Sequence, residues 1–596
     1  MRRPVARQLS VLAVSAAVVS VGAAPPSPAS TTPEKVPVAV GYGGAVASVD
    51  ADASAAGIEV LRKGGNAVDA AVATAAALGV TEPYSSGIGG GGYFVYYDAR
   101  SRSVHTIDGR ETAPLSADEN LFVENGQPLA FADAVTSGLG VGTPGTPATW
   151  ATALGKWGTR GLGTVLKPAE RIAREGFTVD ATFRAQTALN ETRFRYFPDT
   201  AELFLPGGAL PVVGSTFKNP DLARTYAELG KKGTAALYHG DLGDDILDTV
   251  NDPPVDPASG WNARPGDLTA KDLAAYRAKL QAPTRTTYRG LGVYSIAPSS
   301  SGGTTVGEAL NILENTDLSK ASETQYLHRY IEASRIAFAD RGRWVGDPAF
   351  EDVPTQGLLS QSYADERAAL IKDDAVLTSP VAPGDPNAPG STGTPAPTTY
   401  EGENTTHLTV ADKWGNVVSY TLTIEQTGGS GITVPGRGFL LNNELTDFSF
   451  APANPAVHDP NLPGPGKRPR SSISPTIVLD RHGRPVVALG SPGGATIITT
   501  VLQTLTQFLD QRTPLVDAIA APRASQRNQT TTELEPALYD SDLRTRLEAL
   551  GHGFRLNAEI GAATGVQRLP NGEWLAAAET VRRGGGSAMV VYPSSR

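Results

Sequence analysis

The 596-residue sequence contains no cysteine, and its seven histidines are scattered. The missing thiols exclude a disulfide framework, a cysteine nucleophile and any metal site built on thiolates. No two histidines stand four residues apart, so the sequence does not support a helix-borne histidine metal site. Basic residues are also in deficit. The net charge of −10 argues against nucleic acid as a partner.

Long apolar runs are scarce beyond the N-terminus. Three arginines within the first seven residues precede an apolar run, Leu9 to Gly22, and small residues follow it. This pattern predicts that residues 1–24 are a signal peptide, with a membrane anchor as the alternative. Residues 25–37 are rich in Pro, Ser and Thr, which predicts a disordered lead-in. No later segment is apolar for long enough to form a stable membrane span.

The first part of the chain predicts a helix pair followed by a strand. Ala51 to Lys63 has helical spacing, and Asn66 can cap a second helix, Ala67 to Leu78, made almost entirely of Ala and Val. Such small side chains allow close packing, so we expect the pair to lie against a sheet. Gly87 to Gly92 matches a dinucleotide-binding pattern, but a helix precedes it and a strand, Tyr93 to Tyr97, follows. That order is the reverse of what nucleotide binding needs.

A change of composition divides the second half of the chain. Residues 378–403 are crowded with Pro, Gly, Ser and Thr, which predicts a flexible linker. From Thr405 onward the pattern alternates as in a strand, and Val417 to Ile424 and Gly438 to Asn442 are predicted as further strands. A glycine-rich turn then leads into a helix, Thr496 to Gln511.

Thr405, at the end of this linker, is a candidate nucleophile. A threonine hydroxyl reacts poorly unless a base removes its proton. An α-amino group, with a pKa of about 7.7–8, is such a base. A threonine exposed as a new N-terminus would therefore carry both groups. Two ordinary strand threonines are the alternative, and the Thr405-Thr406 pair alone favours it.

Several short motifs occur in a fixed order along the chain. They are Gly64–Ala71, Gly89–Gly92, Arg110–Pro114, Gly142–Gly145, Ser299–Gly303, Thr405–His407, Leu441–Glu444, Lys467–Ser472 and Gly490–Gly494. On these motifs, the chain resembles the γ-glutamyltranspeptidases, or glutathione hydrolases, of the N-terminal-nucleophile hydrolase superfamily. The resemblance runs from about Val38 to the C-terminus.

The resemblance implies an α/β (α+β) fold, a four-layer αββα sandwich in which helices flank two stacked, mainly antiparallel sheets. It also implies a precursor that cleaves itself between Asn404 and Thr405. The products would be a large subunit, residues 38–404, ending in the linker, and a small catalytic subunit, residues 405–596, which together form a heterodimer.

The resemblance also assigns roles to individual residues. Thr405 would be the nucleophile, and Thr423 would orient its hydroxyl. Gly493 and Gly494 would form the oxyanion hole, and their place just before a predicted helix agrees with that role, because backbone N–H groups are free there.

A second group of residues would bind the substrate. We call this group the substrate clamp; it consists of Arg110, Glu425, Glu444, Asp447, Ser471 and Ser472. By resemblance, the arginine and the two serines hold an α-carboxylate, and the acidic residues hold an α-ammonium. A guanidinium suits a carboxylate because it offers paired donors. A solvated surface position would be the default for each charged residue alone.

Two features depart from the family pattern. Glu425 stands where many members have Asn, which adds negative charge near the expected ammonium. The stretch between Ser449 and Lys467 is Pro-rich and has no aromatic residue after Phe450. It predicts a short or partial lid, so acceptor specificity stays open.

The expected function is transfer or hydrolysis of a γ-glutamyl group from glutathione and related compounds. A γ-glutamyl-Thr405 ester would pass the group to water or to an amino acid or peptide, without metal or cofactor. The protein is expected to be exported, either extracellular or in the periplasm or cell envelope. The alternatives are a related acylase for glutaryl or cephalosporin-type side chains, and an uncleaved, inactive relative that acts as a binding protein.

Overall fold

A computed structural model describes residues 34–388, 390–394, 404–452 and 454–594. The predicted signal peptide, most of the lead-in and the last part of the predicted linker lie outside the described residues. Within the described ranges, no helix is both long enough and apolar enough to cross a membrane.

The described residues form twenty strands and twenty α-helices. Strands β1 to β20 span Val38–Ser48, Gly91–Asp98, Ser103–Gly109, Val123–Glu124, Gln127–Pro128, Phe177–Thr178, Thr216–Phe217, Lys279–Gln281, Thr284–Tyr288, Leu291–Ser295, Thr406–Asp412, Val417–Thr423, Thr476–Leu479, Pro485–Gly490, Ala524–Ser525, Thr532–Leu534, Phe554–Leu556, Thr564–Arg568, Trp574–Ala577 and Ser587–Pro593.

Helices α1 to α20 span Ala51–Arg62, Ala67–Thr81, Phe131–Val135, Thr146–Trp157, Leu162–Val165, Lys167–Glu175, Ala181–Phe194, Pro198–Phe204, Pro220–Lys232, Ala235–Tyr238, Asp241–Asn251, Ala270–Ala275, Gly302–Glu314, Glu323–Trp344, Thr355–Leu358, Gln361–Ala368, Thr496–Leu509, Leu515–Ala520, Pro536–Tyr539 and Asp542–Glu548. Short 3-10 turns lie at Pro206–Gly208, Pro257–Ser259, Leu318–Lys320, Glu444–Asp447 and Arg582–Gly584.

One antiparallel sheet dominates the described residues. Its strands follow the order β8-β3-β2-β12-β11-β1-β19-β18-β14-β13-β10-β9, and β20 pairs with β1. The sheet bends at β1. Val38 to Gly41 pair with β19, whereas Gly44 to Ala47 pair with β11. Where these segments meet, Gly43 and Gly44 have φ of 86° and 131°, and the register with β20 shifts, as in a bulge that redirects a strand.

The bend at β1 stacks the two halves of the sheet face to face. Val95 on β2 and Ala411 on β11 belong to the same buried cluster as Ile477 on β13, Val566 on β18 and Trp574 on β19. The expected pair of stacked antiparallel sheets is therefore confirmed, with the addition that hydrogen bonding continues from one half to the other.

Helices cover both outer faces of this sandwich. On one face α2, which is buried along its whole length, packs on Leu408 and Val410 of β11. Asp412 at the end of β11 accepts a hydrogen bond from the Ala67 N–H in the first turn of α2, at 3.0 Å. On the other face α13, α14 and α17 pack on β10, β13 and β14. The four layers are those expected, and the predicted packing of α2 on a sheet is confirmed.

Two local features differ from the expectations. Gly438 to Asn442 does not form a strand; it makes only an isolated bridge, Thr433 to Leu440, because its backbone groups bond to other loops. The start of the predicted linker is hydrogen-bonded: Val381 N–H donates to Asn528 Oδ1 at 2.7 Å, and Gly384 N–H donates to Asp340 Oδ1 at 2.7 Å. Composition does not reveal these contacts.

The packing of α1 on α2 gives a test of the helical layer. In the Gly57→Ala variant, the new Cβ would lie 2.3 Å from Thr74 Oγ1 and 3.1 Å from Val46 Cγ2. Alanine gains about 1 kcal/mol in helix propensity, but overpacking costs about 1–3 kcal/mol. We expect a net loss in the free energy of unfolding, measured by denaturant titration.

A matched control separates the two effects. Gly155 lies in α4, and a Cβ there would have nothing within 4 Å. Gly155→Ala is expected to stabilise the protein by about 0.4–1 kcal/mol. Equal stabilisation by both variants would contradict the close packing of α1 on α2.

Candidate active site

Pairing of β11 with β12 places the two predicted catalytic threonines together. Thr406 stands opposite Leu422, so Thr405, just before β11, lies beside Thr423 at the end of β12. The Thr405 hydroxyl donates to Thr423 Oγ1 at 3.3 Å. Thr423 Oγ1 donates in turn to the carbonyl oxygen of Asn404 at 3.0 Å, and accepts from the Glu425 N–H at 2.8 Å. The carbonyl of the predicted scissile bond thus receives a hydroxyl donor.

The side chain of Asn404 is fixed by its own contacts. Its Oδ1 accepts from Ser85 Oγ at 3.0 Å, and its Nδ2 donates to the Tyr84 carbonyl at 3.1 Å. The Arg583 guanidinium donates both to Asn404 Oδ1 and to the Thr405 carbonyl oxygen, the latter at 2.8 Å. Sequence reasoning missed Arg583, because nothing in its local sequence relates it to a residue 178 positions earlier.

The turn between β14 and α17 carries the predicted oxyanion glycines. Gly493 and Gly494 have φ of 132° and 55°, and the helix begins two residues later. A Cβ on Gly493 would lie 2.5 Å from Thr496 Oγ1 and 3.3 Å from Gly561 Cα, so a side chain there would be strained. Gly494 lines the same cavity as Thr405, but Gly493 is not among the residues that line it.

The substrate clamp surrounds this cavity. The cavity is small and is lined by Arg110, Thr405, Thr423, Glu425, Glu444, Asp447, Ser471, Ser472, Ile473, Gly494 and Ile497. The fold therefore gathers every residue of the clamp beside the predicted nucleophile, although they lie up to several hundred positions apart in sequence. Their individual roles stay predictions.

Arg110 is buried and holds the centre of the clamp. Its Nη1 donates to Glu444 and its Nη2 to Asp447. Carbonyl groups complete the shell: Nη2 donates to the Arg470 carbonyl at 3.1 Å, and Nε to the Pro469 carbonyl at 3.2 Å. These contacts fix the plane of the guanidinium at the wall of the cavity.

The acidic residues of the clamp have perturbed acidities. Burial raises the pKa of Glu444 to about 7, and Arg110 opposes that rise. Burial, with the neighbouring charges of Asp447 and Glu444, raises the pKa of Glu425 well above its usual range. Glu425 also has a φ of 78°, unusual for a residue with a side chain, and accepts a hydrogen bond from Asn443. The site thus concentrates buried acidic groups where a cation would be favoured.

The serines of the clamp are fixed by hydrogen bonds to neighbouring residues. Arg341 donates to Ser472 Oγ at 2.9 Å and to Ser301 Oγ at 2.7 Å. Ser471 Oγ accepts from the Ile473 N–H at 3.2 Å.

His407 is held away from the role of a base for Thr405. Its Nδ1 pairs with Thr421 Oγ1 at 2.7 Å, and its ring packs against Gly490 between the two halves of the sheet. Burial lowers the pKa of His407 to about 3.

The Pro-rich stretch after Ser449 is anchored near the clamp. Phe450 stacks on Phe122 with ring centres 4.3 Å apart. The Ser449 N–H donates to the Asn461 carbonyl at 2.9 Å, and Asn461 Nδ2 donates to the Asp447 carbonyl at 2.7 Å. The start of the predicted partial lid is therefore packed down, and Asn461 within it is hydrogen-bonded to a residue of the clamp.

A threonine at the start of a central strand, inside a four-layer αββα sandwich, defines the class of the N-terminal-nucleophile hydrolases. The family model described as "Gamma-glutamyltranspeptidase" matches residues 53–589. The chain belongs to the gamma-glutamyltranspeptidase family.

Individual relatives agree with this assignment. The chain is 38% identical over 587 residues to the glutathione hydrolase proenzyme of Bacillus subtilis strain 168, covering 97% of this chain and 96% of the relative. It is 35% identical to the acylase ACY 1 proenzyme of Pseudomonas sp. strain SE83, covering 93% and 94%. The crystal structure of cephalosporin acylase from Bacillus halodurans has a TM-score of 0.80 at 28% identity, covering 95% and 98%.

Substitution of Thr423 tests the hydrogen-bond chain at the predicted scissile bond. Thr423→Val keeps the shape but removes the hydroxyl that donates to the Asn404 carbonyl. Loss of one donor to a developing oxyanion slows reactions by about 100- to 1,000-fold. We expect slowing of this order in the appearance of two subunits, followed over time on denaturing gels.

Thr423→Ser is the matched control, because it keeps the hydroxyl. Its cleavage is expected to stay within about tenfold of the wild-type rate, a barrier change of about 1.4 kcal/mol. Cleavage of Thr423→Val at the wild-type rate would exclude this role for the hydroxyl.

Proposed function

We propose that the chain is an autocatalytically processed γ-glutamyltransferase/hydrolase that cleaves the γ-glutamyl amide bond of glutathione and related compounds. The observation that carries the proposal is the shared cavity, in which one arginine and three acidic residues stand beside Thr405. A substrate end that bears both an α-carboxylate and an α-ammonium complements such a set of charges.

Processing would begin with the contacts of the uncleaved chain. Thr405 Oγ attacks the Asn404 carbonyl carbon, while the Thr423 hydroxyl supports the charge that develops on the carbonyl oxygen. The hydroxyl proton passes to the departing nitrogen as the peptide C–N bond breaks, which frees the Thr405 α-amine and leaves an ester between Asn404 and Thr405 Oγ. Water hydrolyses this ester and releases the new carboxyl end of the large subunit at Asn404.

Turnover would use the freed terminus. The α-amine of Thr405 takes the hydroxyl proton, and Oγ attacks the γ-carbonyl carbon of the substrate. The N–H groups of Gly493 and Gly494 would stabilise the oxyanion. The amide C–N bond breaks, and the leaving amine takes the proton. Water or the amine of an amino acid or peptide then accepts the γ-glutamyl group from Thr405.

The clamp would place the acyl carbon by holding the far end of the glutamyl group. Arg110, with Ser471 and Ser472, would bind the α-carboxylate, and Glu425, Glu444 and Asp447 would bind the α-ammonium. A substrate carboxylate near Arg110 would compete with its present carboxylate partners, which frees those partners for the ammonium. All of these contacts are to the glutamyl end of the substrate, so the clamp would not select among leaving groups.

A second candidate is an acylase for glutaryl or cephalosporin-type side chains. The acylase ACY 1 proenzyme and the cephalosporin acylase noted above favour it. A glutaryl group lacks the α-ammonium, so the three acidic residues around the cavity would then bind nothing in the substrate. For this reason we place the acylase second.

Paired anilides decide between these candidates. We expect kcat/KM for γ-glutamyl-p-nitroanilide to exceed that for glutaryl-p-nitroanilide by at least about 100-fold, because an unpaired buried charge costs several kcal/mol. The release of p-nitroaniline is the measurement. A preference for the glutaryl compound would overturn the proposal in favour of an acylase.

The Thr405→Ala variant tests the nucleophile. It should remain a single full-length band on a denaturing gel and should not release p-nitroaniline, because it lacks the attacking oxygen. Thr406→Ala is the control; its hydroxyl is buried and finds no hydrogen-bond partner among the described residues. It should cleave and turn over. One band for the wild type as well would instead favour an uncleaved binding protein.

We also propose that the protein is exported and that residues 1–24 are removed. The basic and apolar N-terminal sequence supports this proposal. Mass spectrometry of protein from the culture medium and the cell envelope would report both new N-termini together. A full-length N-terminus on an intracellular protein would contradict it.

A further inference from the structure

Glu111 follows Arg110 in the chain but has no role in the proposed reaction. Its side chain is fully buried. Its carboxyl group lies in a space lined by glycines: a Cβ on Gly91 would lie 2.4 Å from Glu111 Oε2, and a Cβ on Gly142 would lie 2.8 Å from Glu111 Cβ. Alanine at either glycine would therefore push Glu111 out of its place.

Glu444 is the neighbouring side chain with which the Glu111 carboxyl group can share a hydrogen bond. Among the described residues, neither Glu111 oxygen accepts a hydrogen bond from the N–H or hydroxyl group of another residue, and Glu444 Oε2 likewise lacks such a donor. The two carboxyl groups lie within hydrogen-bonding reach of each other. Two buried carboxylates in contact would repel strongly, whereas a single shared proton turns the contact into a hydrogen bond.

Other charged and titratable groups decide which of the two carboxyl groups, Glu111 or Glu444, holds the proton. Arg110 and Asp447 face Glu111 from the clamp, and Tyr238, Tyr276 and Tyr420 face it from the surrounding elements. The Arg110 guanidinium, however, makes its direct contacts with Glu444 and Asp447. Glu444 is therefore the stabilised anion, and Glu111 is left as the acid.

The acidities agree with this assignment. Burial, followed by the nearby charge of Glu444, raises the pKa of Glu111 well above its usual range. Burial raises the pKa of Glu444 only to about 7. Glu444 can therefore ionise near neutral pH while Glu111 remains neutral.

We propose that Glu111 is a permanently protonated carboxylic acid that donates a hydrogen bond to Glu444 and so positions that carboxylate for the substrate α-ammonium. The inference rests on the proposed function only for the identity of the ligand. Glu111 is a positioning residue, because it acts through Glu444 and does not line the cavity. Because it is neutral, Glu111 lies next to the clamp without adding a negative charge to it.

Infrared difference spectroscopy tests the protonation state without any substrate. At pH 8, unliganded wild-type protein should show a protonated-carboxyl C=O band that is absent from Glu111→Gln. Glu308→Gln is the matched control: Glu308 is another buried carboxyl that does not line the cavity, and burial, followed by the charge of Asp340, raises the pKa of Glu308 well above its usual range. It should lose a separate band. An unchanged spectrum in Glu111→Gln would overturn the proposal.

Kinetics test the positioning role. Glu111→Gln keeps a neutral donor of the same length, so KM and kcat for γ-glutamyl-p-nitroanilide should stay within about threefold of wild type. Glu111→Asp is one methylene shorter and cannot reach, so KM should rise at least about tenfold, the equivalent of one hydrogen bond, with little change in kcat. A wild-type KM in Glu111→Asp would contradict the role.

Two further results keep this test separate from that of the proposed function. Gly142→Ala crowds Glu111 Cβ at 2.8 Å, and its next nearest atoms belong to the Leu445 side chain, so it displaces Glu111 without removing it. It should raise KM in the same way as Glu111→Asp; an unchanged KM would count against the proposal. If wild-type protein fails to hydrolyse γ-glutamyl anilides, the proposed function fails, but the infrared band still decides whether Glu111 carries a proton.

The pH dependence follows from Glu444. As pH rises through about 7, Glu444 loses its proton in the free enzyme, so KM for a γ-glutamyl substrate should fall. KM for the glutaryl analogue, which lacks the ammonium, should not show this fall. Glu111→Gln should keep the same midpoint, because Glu111 itself does not titrate in this range; a lost or shifted transition would contradict a neutral Glu111.

Discussion

The antiparallel pairing of β11 with β12 is the constraint on which the site depends. It puts Thr405 and Thr423 side by side at one end of two central strands and aims the Thr423 hydroxyl at the Asn404 carbonyl. Because both strands are buried between α2 and the facing half of the sheet, neither threonine can shift without disturbing the core. The position of the candidate nucleophile is therefore fixed by the buried core of the fold.

Most elements around this pair could be predicted from the sequence, since their signals are local. Periodicity and capping residues located α1, α2, β2, β12 and α17 to within a few residues. The long strand β1 was missed, although it joins the two halves of the sheet, because its small side chains and its paired glycines resemble a loop. The short strands β18 and β19 were missed as well, since each is defined by its neighbours and not by its own pattern.

The residues of the candidate site also fall into those with a local sequence signal and those without one. Residues in recognisable motifs, such as Arg110, Thr405 and Gly494, could be named and line one cavity. Arg583 could not be named, and Glu111, although it lies in the Arg110–Pro114 motif, could be given no role, since the importance of both arises from contacts across the fold. A buried carboxyl such as that of Glu111 looks like any surface glutamate in the sequence. Only its lack of solvent and of donors marks it as unusual.

The strand order has a consequence for the lifetime of the assembled protein. A cut before Thr405 would leave β11 and β12 between β2 and β1, which belong to the other fragment, and β19 to β13 between β1 and β10. The two polypeptides would be interleaved within one hydrogen-bonded sheet. They could dissociate only if the whole domain unfolded. Reassembly would then require two separate polypeptides to associate. Once cut, such a protein would keep its two fragments together for as long as it stays folded, and recovery after unfolding would depend on fragment concentration.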